Sequence, residues 1–377
     1  MSRNEDILQA IINGESLENY RPQSRNEEIL KRIALGESLE DIDPQSRMEA
    51  LLIAVSEKLG SGGSGEETTD MLQQLVDAKG NAKFLFYYYQ GDNLDFIKNL
   101  DLSNCTSAYS MFDFNSNITR LPDLNFSDLL VNTAGMLKNC TNLKFLPNIN
   151  TSQVTNASNM FNNMTNLKTT PAYDFRNNKD FSSMFYGCIS LEEISIQFPD
   201  NISISDYSNT YKFGYICYKN SSLTRIPESY PFSTSVTAAS ANQAFALCTS
   251  LEELPEVKMA YNSRYSGGSS STMFNGCTNL KRVLFYGMKY SYNFSASTRF
   301  EVEDLIRIMA GCAANSKGPV LTLGSTNLAK LEGVYVKPAE ITLSNGDIIN
   351  GCVQCESTEE GAVTPEEYMT SLGWTLA

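Results

Sequence analysis

Residues 136–144 read Met-Leu-Lys-Asn-Cys-Thr-Asn-Leu-Lys, and residues 273–281 read Met-Phe-Asn-Gly-Cys-Thr-Asn-Leu-Lys. One pocket needs one set of catalytic groups, so a phrase written twice at such a separation constrains architecture before it constrains chemistry. Sliding it along the chain gives registers that start at Met111, Met136, Met160, Met184, Ile216, Ala244 and Met273. Steps of 24 to 32 residues are the period of a solenoid, in which a unit that cannot bury its apolar side chains alone stacks on the next.

The offsets have a physical use. Seven positions into each register stands an aliphatic residue: Ile118, Leu143, Leu167, Leu191, Leu223, Leu251 and Leu280. Three further on come Leu121, Leu146, Thr170, Ile194, Ile226, Leu254 and Val283, followed by proline at 122, 147, 171, 227 and 255. The aliphatic pair plugs the interior of each coil, and proline ends a short strand where its missing N–H does no harm. Coils spaced ~4.8 Å apart make seven of them span on the order of 30 Å. The expected fold is therefore α+β: a leucine-rich-repeat solenoid of short parallel strands over residues 111–298. It is expected to have an N-terminal cap at 67–110 and a C-terminal cap at 299–377.

Cys140, Cys188, Cys248 and Cys277 share the fourth position after the register start, where other units carry Asn115, Met164 and Asn220. Thiols that exchange with methionine read as core filler. Nine cysteines in 377 residues do not make a disulfide scaffold. The pair Cys352 and Cys355 has the C-x-x-C form, but as a single copy without a second pair it reads as two thiols in a terminal strand and turn. Sequons such as Asn139-Cys140-Thr141 and Asn163-Met164-Thr165 track the repeat, so they report asparagine and threonine stacked at turns rather than glycans.

The phrase M-F-x-x-C-x-x-L-x-x-[LI]-P resembles the BspA-like leucine-rich repeat family. Thr151-Ser152-Gln153-Val154-Thr155 and, approximately, Ser233-Thr234-Ser235-Val236-Thr237 match the segment that often precedes it there. The resemblance covers about residues 100–290. It departs at Ile216, which lacks Met-Phe, and at insertions around 200–215 and 260–272, which are expected to bulge from one face.

A second repeat stands at the front. Ser2-Arg3-Asn4-Glu5, Ser24-Arg25-Asn26-Glu27 and Ser46-Arg47-Met48-Glu49 recur every 22 residues, each in the S-x-x-E form of a capping box that opens a helix. The residues that follow, Ile7, Leu8, Ile11, Ile29, Leu30, Ile33, Leu51, Leu52 and Val55, fall on one helical face. Helices of ~10 residues are too short to stand alone in water, so residues 1–59 are expected either as a small bundle or as a docking and oligomerisation module. Gly60-Ser61-Gly62-Gly63-Ser64-Gly65 then divides the chain as a 60–66 linker.

Elsewhere the pattern is local. Lys83 to Gln90 has the tyrosine content of a sugar- or protein-binding face, but reads first as an opening strand on the first coil, behind a helix carrying Met71, Leu72, Leu75 and Val76; a tyrosine binding face elsewhere is expected. Glu301–Ala310 reads as a helix, and Leu321–Leu323 and Ile341–Leu343 alternate like strands. Thr364-Pro365-Glu366-Glu367 opens a last helix, expected to finish at Trp374.

A net charge of −14 without a basic run disfavours nucleic acid. No stretch approaches 18 apolar residues, so no membrane insertion is expected. The chain contains no histidine, which removes the commonest general base, and Glu192-Glu193 and Glu252-Glu253 point to opposite faces of an extended strand rather than forming an acid/base couple. No catalytic residue, metal site or cofactor is expected. The S-R-x-E helical repeats, the tether, the solenoid and the ending Gly373-Trp374-Thr375-Leu376-Ala377 resemble accessory virion proteins of tailed bacteriophages. That resemblance implies a homo-oligomeric head fibre, decoration or tail-associated protein assembled in the host cytoplasm. Residues 1–59 would bind capsid or tail proteins, and the solenoid would meet a host-surface protein or glycan. A bacterial surface adhesin is the alternative.

Overall fold

The computed structural model describes Gln73, Val76, Asp77 and residues 80–377, apart from 88, 90–93, 200–212, 228–229, 231–242, 259–271 and 345. Residues 1–66, with the expected docking helices and linker, lie outside the described residues, as do Met71, Leu72 and Leu75 of the expected first helix, the segment Ser233–Thr237 and most of both insertions.

From residue 80 to 277 the chain repeats one hydrogen-bonding scheme. In the segment around Met111, the N–H groups of Ala108, Ser110, Phe112 and Phe114 donate to the carbonyls of Asn132, Ala134, Met136 and Lys138 at 2.8–3.0 Å. Those of Thr133, Gly135, Leu137 and Asn139 pass in turn to Asn156, Ser158, Met160 and Asn162. The intervening N–H groups fold back three residues, as in Met111 to Ala108 and Asn115 to Phe112. Every second peptide therefore lies along the stack and every other one closes a turn, which satisfies the backbone without helix or strand. Peptides aligned in one sense add their dipoles of ~3.5 D along the axis.

This scheme needs left-handed backbone at two places per unit, the residue before the start and the third after it. Ser110 and Phe114, Asn159 and Asn163, and Tyr215 and Lys219 occupy them at φ between 48° and 65°. Gly135 and Gly187 do so without a Cβ to strain. A short polar residue four positions before the start sets the entry. The side-chain oxygens of Asn132, Asn156 and Asp180 accept the N–H two residues on at 3.0–3.1 Å, and that of Ser107 does so at 3.3 Å.

Inter-unit bonding thus differs from the expected ladder of short strands. At the aliphatic positions parallel pairing is confined to single bridges, Thr169 with Glu193 and Arg225 with Glu253, until β1 (Glu253–Lys258) pairs in parallel with β2 (Arg282–Tyr286). Most inter-unit hydrogen bonds sit in the Met-Phe segment. The 32-residue step leaves them intact, since Phe185 N–H still reaches the Ile216 carbonyl at 2.8 Å.

The expected opening strand at 83–90 is instead another unit of the same kind, starting at Leu85. Ala82, Phe84 and Phe86 donate to Ser107, Tyr109 and Met111, and Asn81 Oδ1 accepts the Lys83 N–H. The segment 67–110, expected as a cap, therefore itself contains a unit of the repeat.

Beyond Tyr286, β3 (Tyr292–Asn293), β4 (Val320–Thr322) and β7 (Thr375–Leu376) form a parallel sheet in the order β3-β4-β7. Helix α1 (Val302–Ala310) is opened by a capping box between Glu301 and Asp304. The short α2 (Ser325–Lys330) follows β4. Strands β5 (Tyr335–Thr342) and β6 (Ile348–Cys355) make an antiparallel hairpin that packs on α1, and Ser344 N–H ties its tip to Glu256 of β1 at 2.8 Å. Helix α3 (Pro365–Ser371) is capped by Thr364 with Glu367. It stops short of Trp374, because Gly373 turns the chain at φ 79° and frees Trp374 to donate its indole N–H to the Ala313 carbonyl at 2.8 Å.

Candidate functional site

The repeat core residues lie in one continuous apolar cluster. Leu143, Leu167, Leu191, Leu223 and Leu251 are wholly buried and Leu280 is nearly so. The backbone N–H of each of the first five closes on the carbonyl three residues earlier, at Cys140, Met164, Cys188, Asn220 and Cys248. Rings stack beside them: Phe161 lies on Phe185 at 5.3 Å and 11°, and Phe245 on Phe274 at 5.9 Å and 9°, the offset stacking that aromatic quadrupoles favour.

The cysteines do more than fill space. Cys140, Cys188, Cys248 and Cys277 Sγ donate to the carbonyls of Phe112, Phe161, Cys217 and Phe245 at 3.0–3.1 Å, each the residue after the start of a preceding unit. Asn115 plays the same part with its amide, donating to Phe86 and Phe112 at 2.7 Å. Burial pushes the Cys188 and Cys277 thiols up to about 12 and raises those of Cys140 and Cys248 as well, against the lowering effect of backbone hydrogen bonds. They stay protonated at neutral pH, as a donor must, and are poor nucleophiles. Cys352 lies within β6 and Cys355 ends it; burial raises the Cys352 thiol to about 12.

Asn220 breaks the rule. It is wholly buried, and among the described residues neither its amide nitrogen nor its oxygen has a hydrogen-bond partner. An unpaired buried amide costs about 1–3 kcal/mol. Asn220→Cys restores the thiol found at this position in neighbouring units and should raise the urea midpoint by the equivalent of about 1 kcal/mol or more. A lower midpoint would show that this unit does not share the register of the others.

Threonine and asparagine five and six positions after the register start bind the units at a second corner. Thr165, Thr249 and Thr278 hydroxyls donate to the carbonyls of Thr141, Ser221 and Thr249 at 3.4–3.5 Å, and Asn166 and Asn279 amides to Thr141 and Thr249 at 2.8–2.9 Å. Glu192 and Glu252 pair with Lys168 and Lys281 across units, while Glu253 lies near Arg282 at 3.8 Å.

The Met-Phe turns form a further, partly exposed face, on which Tyr109 and Phe114 are exposed while Ser110, Asp113 and Ala134 are buried. Its side chains come from the two residues before each start and the second and third after it. At one end Phe84 meets Tyr109 edge-on at 5.1 Å and Tyr87 meets Phe114 at 5.8 Å, with Lys138 Nζ 5.9 Å from the Phe114 ring centre. Further along, Tyr186 stacks on Tyr218 at 5.0 Å, Tyr215 meets Tyr218 at 5.6 Å, and Lys219 Nζ lies 5.6 Å from that ring. Between them runs an amide ladder, with Asn163 donating to Asn139 Oδ1 at 3.0 Å and Asn139 to Asp113 Oδ1 at 3.1 Å. Desolvation raises the Asp113 carboxyl above the usual range, partly opposed by Lys138 and Asn139. Phe84 and Tyr87 belong to the tyrosine-rich segment 83–90, and Tyr186, Tyr218, Asn139 and Asn163 stand at matching register positions in the sequence. The docking residues Ile7, Leu8, Ile11, Ile29, Leu30, Ile33, Leu51, Leu52 and Val55 lie outside the described residues.

Residues 80–198 and again 131–253 match the family described as "Mycoplasma protein of unknown function, DUF285". The first match opens ahead of the unit at Leu85. The second begins 51 residues later, which is the separation of Leu85 from Met136, so the family pattern fits twice with a shift of two units. No curated protein and no solved structure matches the chain, and nothing in these comparisons bears on a phage origin. Over residues 80–253 the chain is similar to DUF285, a family of Mycoplasma and BspA-like repeats, which is consistent with the BspA-like character of its repeated phrase.

Proposed function

We propose that this chain is a non-enzymatic scaffold: a leucine-rich-type solenoid that presents its turn face for adhesion and is held in place through residues 1–59. The observation that carries the reading is how the polar side chains of the stack are used. Thiols, amides and hydroxyls at the unit corners are engaged by carbonyls of adjacent units, which gives a rigid repetitive support for a surface of varied composition. Repeat proteins bind through such surfaces. The S-R-x-E helical repeats favour a tailed-phage virion as the setting, on the capsid as head fibre or decoration or on the tail as receptor binder. The DUF285 likeness favours a second setting, the surface of a bacterium.

Gradient-purified particles and washed cell surfaces from the same culture, digested and quantified by mass spectrometry, separate these settings. The virion assignment expects the chain in particles at a fixed ratio to the capsid protein, and its loss from them when residues 1–59 are deleted. Its absence from particles would remove that assignment, and its recovery on cells would support the adhesin.

A further inference from the structure

We propose that the turn face is a binding strip for an oligosaccharide of neutral sugar rings lying along the stack, a conclusion that rests on the scaffold reading above. The arrangement of polarity selects the ligand. A protein partner is met by an apolar centre inside a polar rim. Over the units from Met111 to Ile216 the order is reversed: aromatic groups flank the stretch, Tyr109 and Phe114 on one side and Tyr186 and Tyr218 on the other, and between them lie amides, hydroxyls and the single Lys138. Tyr109 and Phe114 are 39% and 41% exposed. Between the flanks, Lys138 apart, the side chains are small or carboxamide, among them Gly135, Ser158, Asn159 and Asn162. Asn162 Nδ2 donates to Asn159 Oδ1 at 2.9 Å, and with the ladder through Asn139 and Asn163 this fixes the amides in orientation. An array of oriented donors and acceptors flanked by flat apolar rings matches a sugar chain, whose hydroxyls point sideways and whose C–H faces stack on aromatic rings.

Charge supports the same class. In a chain of net charge −14, the four face positions of the units from Leu85 to Ile216 carry three lysines, Lys83, Lys138 and Lys219, and one acid, Asp113. The net charge of the whole protein opposes a strongly anionic polymer and the three lysines on the face oppose a cationic one, which leaves a neutral chain held by local contacts. The unit starting at Met111 and that at Ile216 are four steps apart, about 20 Å at ~4.8 Å per step, which suits a ligand of several sugar rings.

The repeat itself supplies variants that remove a ring and keep the backbone. Phe114 is left-handed at φ 64°, and the equivalent residues of the next two units are Asn139 and Asn163 at 59° and 60°. Asn162 likewise occupies the position of Tyr218. Phe114→Asn and Tyr218→Asn should therefore fold, which an unchanged urea midpoint verifies. The full chain is titrated with maltohexaose, cellohexaose, chitohexaose and mannohexaose to about 10 mM, a range that captures weak millimolar sites, and read by saturation-transfer NMR. Binding of at least one hexasaccharide, weakened roughly tenfold by each variant, is the expected result. Silence from all four sugars, or binding that the variants do not weaken, overturns the proposal. Attachment of the full chain to cells or particles is scored in parallel. If the variants abolish attachment while no sugar binds, the face takes a protein and the scaffold reading stands; if attachment is indifferent to the variants and no sugar binds, the reading of this face as the adhesive surface falls as well.

Discussion

Alanine at Leu143 should lower the stability of the stack by about 2–5 kcal/mol, while alanine at Phe145, two residues away and larger, should change it by no more than about 0.5 kcal/mol. Leu143 is wholly buried and Phe145 is 76% exposed. Deleting Leu143 leaves a cavity between units that neighbours cannot close, since their main chains are pinned to one another by the four-bond ladders of the Met-Phe segment. Truncating Phe145 removes a ring that water already surrounds. Because each unit touches only those next to it, the Leu143 loss should also reduce coupling between the halves of the stack and broaden the urea transition. Equilibrium urea denaturation of both variants measures the contrast. Comparable losses at the two sites would mean that Leu143 is not part of the common column.

The column was legible because an apolar residue at a fixed offset has one physical use, exclusion from water, whatever the backbone does around it. Leu143, Leu191, Leu251 and Leu280 needed only their spacing, and so did the buried thiols. Three kinds of information were carried by polar residues that such spacing ignores. Asn81, Ser107, Asn132, Asn156 and Asp180 mark the entry to each unit by an interaction with the N–H two residues on, yet singly each is an ordinary loop residue. The unit at Leu85 has tyrosine in place of the cysteine, and so reads as a tyrosine-rich strand until its carbonyl and N–H partners are known. The turn backbone itself was hidden, since alternation of buried and exposed side chains is the same whether N–H groups pair with the next unit at every residue or at every second one. The face is only partly legible for the same reason: tyrosine content flags residues 83–90, but the tyrosines and asparagines of successive units are equivalent only within a register defined by what they do not contribute, the core.

Gly311→Ala should detach the C-terminal layer, with a local loss above about 4 kcal/mol, the range reserved for clashes that the fold cannot absorb. A Cβ at this residue would stand 1.9 Å from the carbonyl oxygen of Phe285 and 3.0 Å from its carbon. The conformation is not at issue, because Gly311 sits at φ −76° and ψ −10°, where any residue is comfortable; the contact alone demands glycine. Neither partner can retreat. Gly311 N–H is held by the carbonyls of Arg307 and Ile308 at the end of α1, and its carbonyl by Met288 N–H at 3.0 Å, while Phe285 lies in β2 with its ring buried in the core. Pushing α1 off β2 also loosens the hairpin of β5 and β6, whose Gly351 rests against Ala310. Trp374, the sole tryptophan, reports on the neighbouring segment through its bond to Ala313, so its emission should shift to the red in the variant. Amide exchange should show protection lost in α1 and β6 and retained at residues 133–164. Gly318→Ala is the control: with nothing within 4 Å of its Cβ and φ at 62°, it should cost only about 1 kcal/mol for the left-handed conformation. Unchanged emission and protection in Gly311→Ala would mean that α1 does not seat on Phe285 as described.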